Sequence, residues 1–342
     1  MNTYDVTIGI PIYNSMDSIR ETMESALAQN YSSIEFLLVD DGCTDASMNV
    51  IRNFQENHPK GQNIHIIKHE LNQGVSISRN EIIKRAQGAF LYFMDSDDLI
   101  AENTISLLID SIRQYDAEIA FGSYEKIETS GGKVIYRYPS LMLSGQDQLA
   151  IFAYRQYAGI QASACNYLVK TSLLRENHFL FIDADYWEDM VFTFDLVTHI
   201  SRAVLLSDIT YTYQCHEGSL SHYQNRDKIT KEEVMKNVRT IEHLKSTSQM
   251  LSNKVYYPKR CYNIMMTDFF IACHILKRRK DIVPSISNKE IRSIMWHPAT
   301  LSQICSFQQS RFGNLFFFVL SKSPSWLCVF LINLLAKIKK VK

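Results

Sequence analysis

The stretch FLYFMDSDD, residues 90–98, carries five apolar residues straight into acid. A continuous apolar run of this length reads as a strand buried on both faces, the habit of parallel sheets covered by helices. Asp95, Asp97 and Asp98 then stand where the strand leaves the core. Carboxylates crowded at one rim raise one another's pKa unless a cation or hydrogen-bond donors compensate. Mg²⁺ or Mn²⁺ compensates economically, because it prefers carboxylate oxygen and joins one or two protein carboxylates to the phosphates of a ligand. The competing reading is that Asp97 and Asp98 cap the following helical pattern, AENTISLLIDSIRQY.

Outward from this stretch, short β-rich runs alternate with helical patterns. The strand candidates are VTIGIPIY, IEFLLVDD, NIHIIKHE and AFLYFMD. Ile19, Met23, Ala26 and Leu27 repeat at helical spacing behind Ser15 and Asp17, ASMNVIRNFQ fits a second helix, and SISRNEIIKRAQ fits a third that Gly88 stops. The order βαβαβαβ predicts an α/β fold, a Rossmann-like, mostly parallel sheet with flanking helices. In such sheets the ligand crevice lies beyond the carboxyl ends of the strands. Tyr13 and Asn14, Asp40 and Asp41, and Asp95 and Asp97 occupy those ends. In VDDGCTD, Asp41 can accept hydrogen bonds from a base or ribose while Gly42 permits the turn; the plain alternative is an Asp-Gly turn. In LNQGVSISRN, Gly74, Ser76 and Ser78 allow close backbone approach at a helix start, and Arg79 can neutralise phosphate.

Taken jointly, IPIYN, VDDGCTD, NQGVSISRN and FMDSDD resemble the nucleotide-sugar domain of family 2 glycosyltransferases, inverting enzymes of the GT-A fold. The resemblance implies that Pro11, Tyr13 and Asp41 contact the nucleoside of the donor, with Arg79 at its diphosphate. It implies that Asp95 and Asp97 form a DxD meeting ribose and metal, Asp97 being the direct ligand of Mn²⁺ or Mg²⁺. Cys43 departs from the serine usual in the family's DDGS turn, a change small enough to carry little consequence.

Transfer also requires a carboxylate within reach of the acceptor hydroxyl as it attacks. YWEDMVFTFDLV offers Glu188 and Asp189 ahead of helically spaced Val191, Phe192 and Leu196. It resembles the family's ED motif, which implies that Asp189 is the general base; the alternative is that both acids favour a helix amino terminus. The segment from ASACNYLVKTSLLRENHFLF to WED resembles the acceptor half, with Glu188 beside the acceptor and Trp187 as a sugar platform or a core residue. YTYQCHEGSLSH resembles the loop that closes over the diphosphate, implying His216 as a third metal or phosphate contact and Ser219 and Ser221 as hydrogen-bond donors. One base and one metal imply a single displacement with inversion.

Composition bounds the rest. The 342 residues suffice for one large α/β domain with an appendage, and 36 Lys and Arg against 36 Asp and Glu leave no global field for nucleic acid. The seven cysteines are odd in number, scattered and include no CxxC pair, which argues against a disulfide framework and a zinc cluster and fits a reducing compartment. MNTYDVTIGIPIYN has no signal-peptide pattern, so a cytoplasmic protein is expected. Beyond residue 225, KITKEEVMKNVRTIEHLKSTSQML and YNIMMTDFFIACHILKRR read as amphipathic helices. LFFFVLSKSPSWLCVFLINLLAKIKKVK then has two apolar runs divided by Lys322 and Pro324 and a basic tail of Lys337, Lys339, Lys340 and Lys342. Each run is short of the roughly 20 residues that span a bilayer, so the segment reads as interfacial, on the anionic inner face of the cell membrane with Trp326 at headgroup level, or else as a buried terminal helix. The expected organisation is a catalytic domain over 1–225, a helical extension over 226–310 and a membrane-associating segment over 311–342. The expected acceptor is a saccharide, lipid-linked, in cell-surface polysaccharide or lipooligosaccharide synthesis. The rivals are a metal-dependent phosphotransferase or nucleotidyltransferase, and a non-catalytic nucleotide-sugar-binding subunit.

Overall fold

In the computed structural model, residues 3–155, 159–184, 186–216 and 228–338 are described. Ser219, Ser221 and the last three lysines of the basic tail lie outside them. The first part follows the predicted order: β1 (Tyr4–Ile12), α1 (Ile19–Leu27), β2 (Ile34–Asp40), α2 (Ser47–Asn57), β3 (Ile64–Lys68), α3 (Val75–Arg85) and β4 (Gly88–Phe93). It continues through β5 (Leu99–Ile100), α4 (Thr104–Tyr115), β6 (Ile119–Ile127), β7 (Lys133–Tyr136), β8 (Leu141–Ser144), α5 (Gln148–Arg155), β9 (Tyr167–Lys170), α6 (Thr171–Glu176), α7 (Glu188–Leu196) and β10 (Arg202–Gln214). Ten strands join one sheet in the order β3-β2-β1-β4-β9-β6-β10-β5, with β7 on β6 and β8 on β10. β1 to β4 are mutually parallel and β6 runs parallel to β10, while β9 is antiparallel to both β4 and β6.

All seven residues of β2 are buried, as are the last seven of β1, so these strands are covered on both faces instead of alternating, and the buried Thr7 hydroxyl donates to buried Glu35 across them. β2 and β4 flank β1 on opposite sides, and their pairing brings Asp40 level with Ile12 and Phe93 level with Gly9. The chain therefore leaves β1 in both directions at one place, the switch point where α/β sheets open a crevice. Pro11 sits near the end of β1 and opposite Val39; the Met94 amide donating to Gly9 O at 3.1 Å is the last bond to β4 before it. A proline there costs the ladder little. Gly9 admits α3: a Cβ added to it would stand 2.4 Å from Ile82 Cγ2.

Contacts divide the chain into two compact units, one of residues 1–150, 160–183 and 188–222, the other of 151–159, 184–187 and 223–342. The second unit takes two short pieces from within the expected catalytic domain, and it absorbs residues 311–342. Beyond 228 it contains β11 (Ile229–Thr230), α8 (Lys231–Gln249), α9 (Tyr257–Lys277), β12 (Ile282–Val283), α10 (Asn288–Ile294), α11 (Leu301–Ser306), α12 (Arg311–Lys322) and α13 (Ser325–Ile338). Thr230 and Glu233 cap α8 reciprocally, and Ser287 and Glu290 do the same for α10. None of the described helices is long and apolar enough to cross a membrane.

Candidate active site

The turn after β2 is built from its own acids. Asp40 Oδ1 accepts from the Cys43 amide at 2.9 Å, closing the turn around Gly42, whose φ of 74° suits glycine. Asp41 is buried, and both of its oxygens already have partners: His69 Nδ1 at 2.7 Å and the Gln73 amide at 2.9 Å on Oδ1, the Gly74 amide at 2.8 Å on Oδ2. The carboxylate thus fixes the entry of α3 against the end of β2. Cys43 behaves as a small neutral side chain, its thiol pushed up to about 12 mainly by burial. Asn14, at φ 47°, accepts from the Thr44 amide at 2.8 Å, which ties the end of β1 to the same turn. Tyr13 beside it keeps half its surface in solvent, whereas Pro11 is buried in the strand.

The three acids after β4 diverge in use. Asp98 is buried, accepting from Tyr211 Oη at 2.6 Å and the Gln214 amide at 2.9 Å, so it anchors β10 to the strand end. The capping alternative is not realised, since α4 begins only at Thr104 behind Asn103. Asp95 is partly exposed and accepts from Arg79 Nη2 at 2.8 Å. Among the described residues no Arg or Lys pairs with Asp97: burial, then the negative charge of Asp95, pushes its carboxyl up to about 6 in spite of His216 nearby. His216 Nε2 lies 3.4 Å from the main-chain oxygen of Asp97.

This is the condition a divalent cation relieves. Asp95 lies close enough for its charge to raise Asp97, and the charge on Asp97 is the less compensated of the two. No three His, Cys, Asp or Glu side chains among the described residues close around one point. The pair therefore fits a cation held by one or two carboxylates and completed by ligand phosphate and water, the usual mode of Mg²⁺ beside a nucleotide.

Arg79 departs from its expected role. It is buried, donates from Nη1 to Glu188 Oε1 at 2.9 Å and from Nη2 to Asp95 Oδ1 at 2.8 Å, and stacks 5.3 Å from the centroid of Phe181. Burial disfavours its charge, yet the surrounding acids outweigh that and hold the guanidinium protonated. Both ends are committed to carboxylates, so Arg79 is a strut between the two acidic motifs. Glu188 is correspondingly buried and engaged, which removes it from the set of open acceptor contacts.

Asp189 opens α7 next to it, with the Met190 amide 2.6 Å from Oδ1. Desolvation, then the charge of Glu188, pushes its carboxyl up to about 7, against the pull of Arg79. A carboxylate poised near neutrality is suited to take a proton from a hydroxyl. Trp187, with φ 69°, is partly exposed and belongs to the second unit.

Sequence reading missed His69, Tyr211 and the strut function of Arg79. Tyr211 meets Asp98 across 113 residues and Arg79 meets Glu188 across 109, separations at which no local pattern exists. His69, directly after β3, was within reach of the strand-end argument that selected Asp41.

Residues 7–169 match the family model described as Glycosyl transferase family 2. The uncharacterized glycosyltransferase YibD of Escherichia coli (strain K12) is 24% identical over 296 residues, covering 82% of each chain. WfaP of Escherichia coli, a UDP-Glc:alpha-D-GlcNAc-diphosphoundecaprenol beta-1,3-glucosyltransferase, is 28% identical over 233 residues, 68% of this chain and 86% of its own. The crystal structure of S. aureus TarS 1-349 in complex with UDP-GlcNAc shares the fold at a TM-score of 0.59 and 17% identity, over 92% of this chain and 90% of that one.

Proposed function

This chain belongs to glycosyltransferase family 2, and from that premise we propose that it transfers a hexose or N-acetylhexosamine from a UDP-sugar to a lipid-linked saccharide, with inversion. The observation that carries the reading is the Asp95–Arg79–Glu188 bridge, centred on a buried guanidinium, which joins the acids of the strand-end crevice to the helix that presents Asp189. UDP is favoured because the TarS structure holds UDP-GlcNAc and WfaP is named for UDP-Glc. A lipid-linked acceptor is favoured because WfaP is named for a diphosphoundecaprenol substrate.

In this reading the nucleoside lies against the exposed ring of Tyr13 and the turn that Asp41 holds rigid. Charge neutralisation of the departing diphosphate is what Mn²⁺ or Mg²⁺ on Asp95 and Asp97 supplies when bound. Asp189 takes the proton of the acceptor hydroxyl as its oxygen bonds to the anomeric carbon, and the bond from that carbon to the diphosphate oxygen breaks with its electron pair leaving on the nucleotide. A single displacement of this kind inverts the anomeric centre. Arg79 fixes the separation between the two acidic motifs; burial pushes the Glu188 carboxyl up while Arg79 pulls it down, and the negative charge on Glu188 adds to the burial that raises the proton affinity of Asp189.

The test is a panel of nucleotide sugars assayed for nucleoside diphosphate release with Mn²⁺ or Mg²⁺, for wild type and Asp97→Ala. Metal-dependent release of UDP from one sugar, lost in the variant, is the expected result. Absence of nucleotide binding by calorimetry under the same conditions refutes the reading.

A further inference from the structure

α12 and α13 each bury one face inside the second unit and turn a second apolar face outward. On α12, Phe317 and Leu320 are buried, and Gly313 lets the helix close on α9, where a Cβ would stand 2.4 Å from Tyr262. Phe312, Phe316 and Val319, spaced by four and then three residues, are exposed by 79%, 38% and 59%. On α13, Cys328, Val329 and Ile332 are buried while Trp326, Phe330 and Leu334, four residues apart, are exposed by 65%, 57% and 44%. A helix whose apolar surface extends beyond its core contacts has more of it than the core can cover. These two have filled their core contacts and still present aromatic rings to solvent, the mark of a docking surface.

Charge selects the occupant. Glu290 is the last acidic residue of the chain, and after it come Arg292, Arg311, Lys322, Lys337, Lys339, Lys340 and Lys342. Arg311, Lys322 and Lys337 are exposed on the same two helices as the apolar rows. Two copies of such a surface repel one another, whereas a bilayer of anionic lipid attracts it within a Debye length. At 12 and 14 residues, α12 and α13 are too short to cross, and none of the described helices is long and apolar enough to do so. Amphipathic helices with aromatic rows and flanking Lys and Arg instead lie in the plane of the interface.

We propose that α12 and α13 form an interfacial docking surface for anionic lipid bilayers, with Phe312, Phe316, Trp326 and Phe330 inserting among the acyl chains and Arg311, Lys322 and Lys337 meeting the headgroups. This goes beyond the transfer chemistry and does not depend on it.

The experiment is flotation of the full chain with vesicles of phosphatidylcholine and phosphatidylglycerol mixed three to one, against vesicles of phosphatidylcholine alone. Wild type floats with the anionic vesicles, at least ~10-fold less with the neutral ones, and is released by half-molar salt. Phe312→Ser with Phe330→Ser loses at least ~10-fold of this binding with an unchanged melting temperature, since both side chains are already in water. Nucleoside diphosphate release in vesicle-free buffer is measured on the same samples, so that a failure of the chemistry is seen separately. As a second measurement, brominated phosphatidylglycerol quenches more fluorescence in wild type than in Trp326→Phe. Equal flotation with neutral vesicles, no flotation, no difference in quenching, or a concentration-dependent dimer abolished by the double substitution would each overturn the proposal.

Discussion

Asp189 and Glu188 are neighbours in sequence with opposite employment, and their environments account for the difference. Glu188 meets Arg79 at 2.9 Å, whereas Asp189 gains only a main-chain amide and is pushed up to about 7. Removing the base while keeping its shape tests the division. Asp189→Asn is expected to lower kcat by roughly 10²–10⁴-fold, the usual worth of general-base catalysis, with the KM for the nucleotide sugar unchanged. Because the base works only when deprotonated, kcat/KM of the wild type should rise with pH and level off above a midpoint near 7. Glu188→Gln removes the neighbouring charge that raises this value, so the rising limb should move to lower pH while Arg79 keeps Asp95. A limb that stays in place would remove Glu188 from any tuning role. Much of this site was legible in the sequence, because strand ends and helix starts mark positions by local pattern. Arg79 was legible as a cation at a helix start but not as a buried strut, since its partner Glu188 lies 109 residues away.

At the scale of elements, β1 to β4 and α1 to α3 were readable because each is short, local and uniformly buried or periodic. β5 to β10 were not, since β9 has only four residues and β10 holds partners on both sides through a bulge between Leu205 and Tyr211. Such pairings are decided by tertiary contact and leave a weak trace in local propensity. The readable part also carries the tightest fit. α3 delivers Arg79 to Asp95 from a helix that approaches β1 over Gly9, where a methyl group would meet Ile82 Cγ2 at 2.4 Å. Gly9→Ala therefore forces the helix or the Ile82 side chain to move, with a cost of about 1–3 kcal/mol in thermal or denaturant unfolding. Trimming the obstacle as well, in Gly9→Ala with Ile82→Ala, should return part of that loss and more of the activity than of the stability, because the trim relieves the displacement of Arg79 but leaves less apolar burial. Equal stability of wild type and Gly9→Ala would show that α3 is less closely seated than this distance implies.

Across the whole molecule, polar burial is distributed between the two units, and the second unit has its own charged centre. Lys245 of α8 and Asp268 of α9 are both fully buried and form an ion pair; Lys245 also donates to Ile294 O at 2.6 Å and lies 5.0 Å from the Trp296 ring centroid. Burial pushes the Asp268 carboxyl up to about 7 even with Lys245 beside it. A pair of this kind adds little net stability over apolar residues of equal size, but losing one member leaves a buried charge without compensation. Lys245→Met is thus expected to cost up to about 3–5 kcal/mol at alkaline pH, where Asp268 would have to be ionised, read as a lower denaturation midpoint. The sign of its pH dependence follows from the raised carboxyl. Without Lys245 the carboxyl is raised further still, so the deficit grows as pH rises above about 7 and shrinks below it, where Asp268 is protonated with or without the lysine. Lys245→Met combined with Asp268→Leu removes both charges and should recover most of the loss at every pH. If the double variant is as unstable as the single one, the pair fixes the packing of α8 on α9 by its geometry, and the desolvation argument for it is wrong.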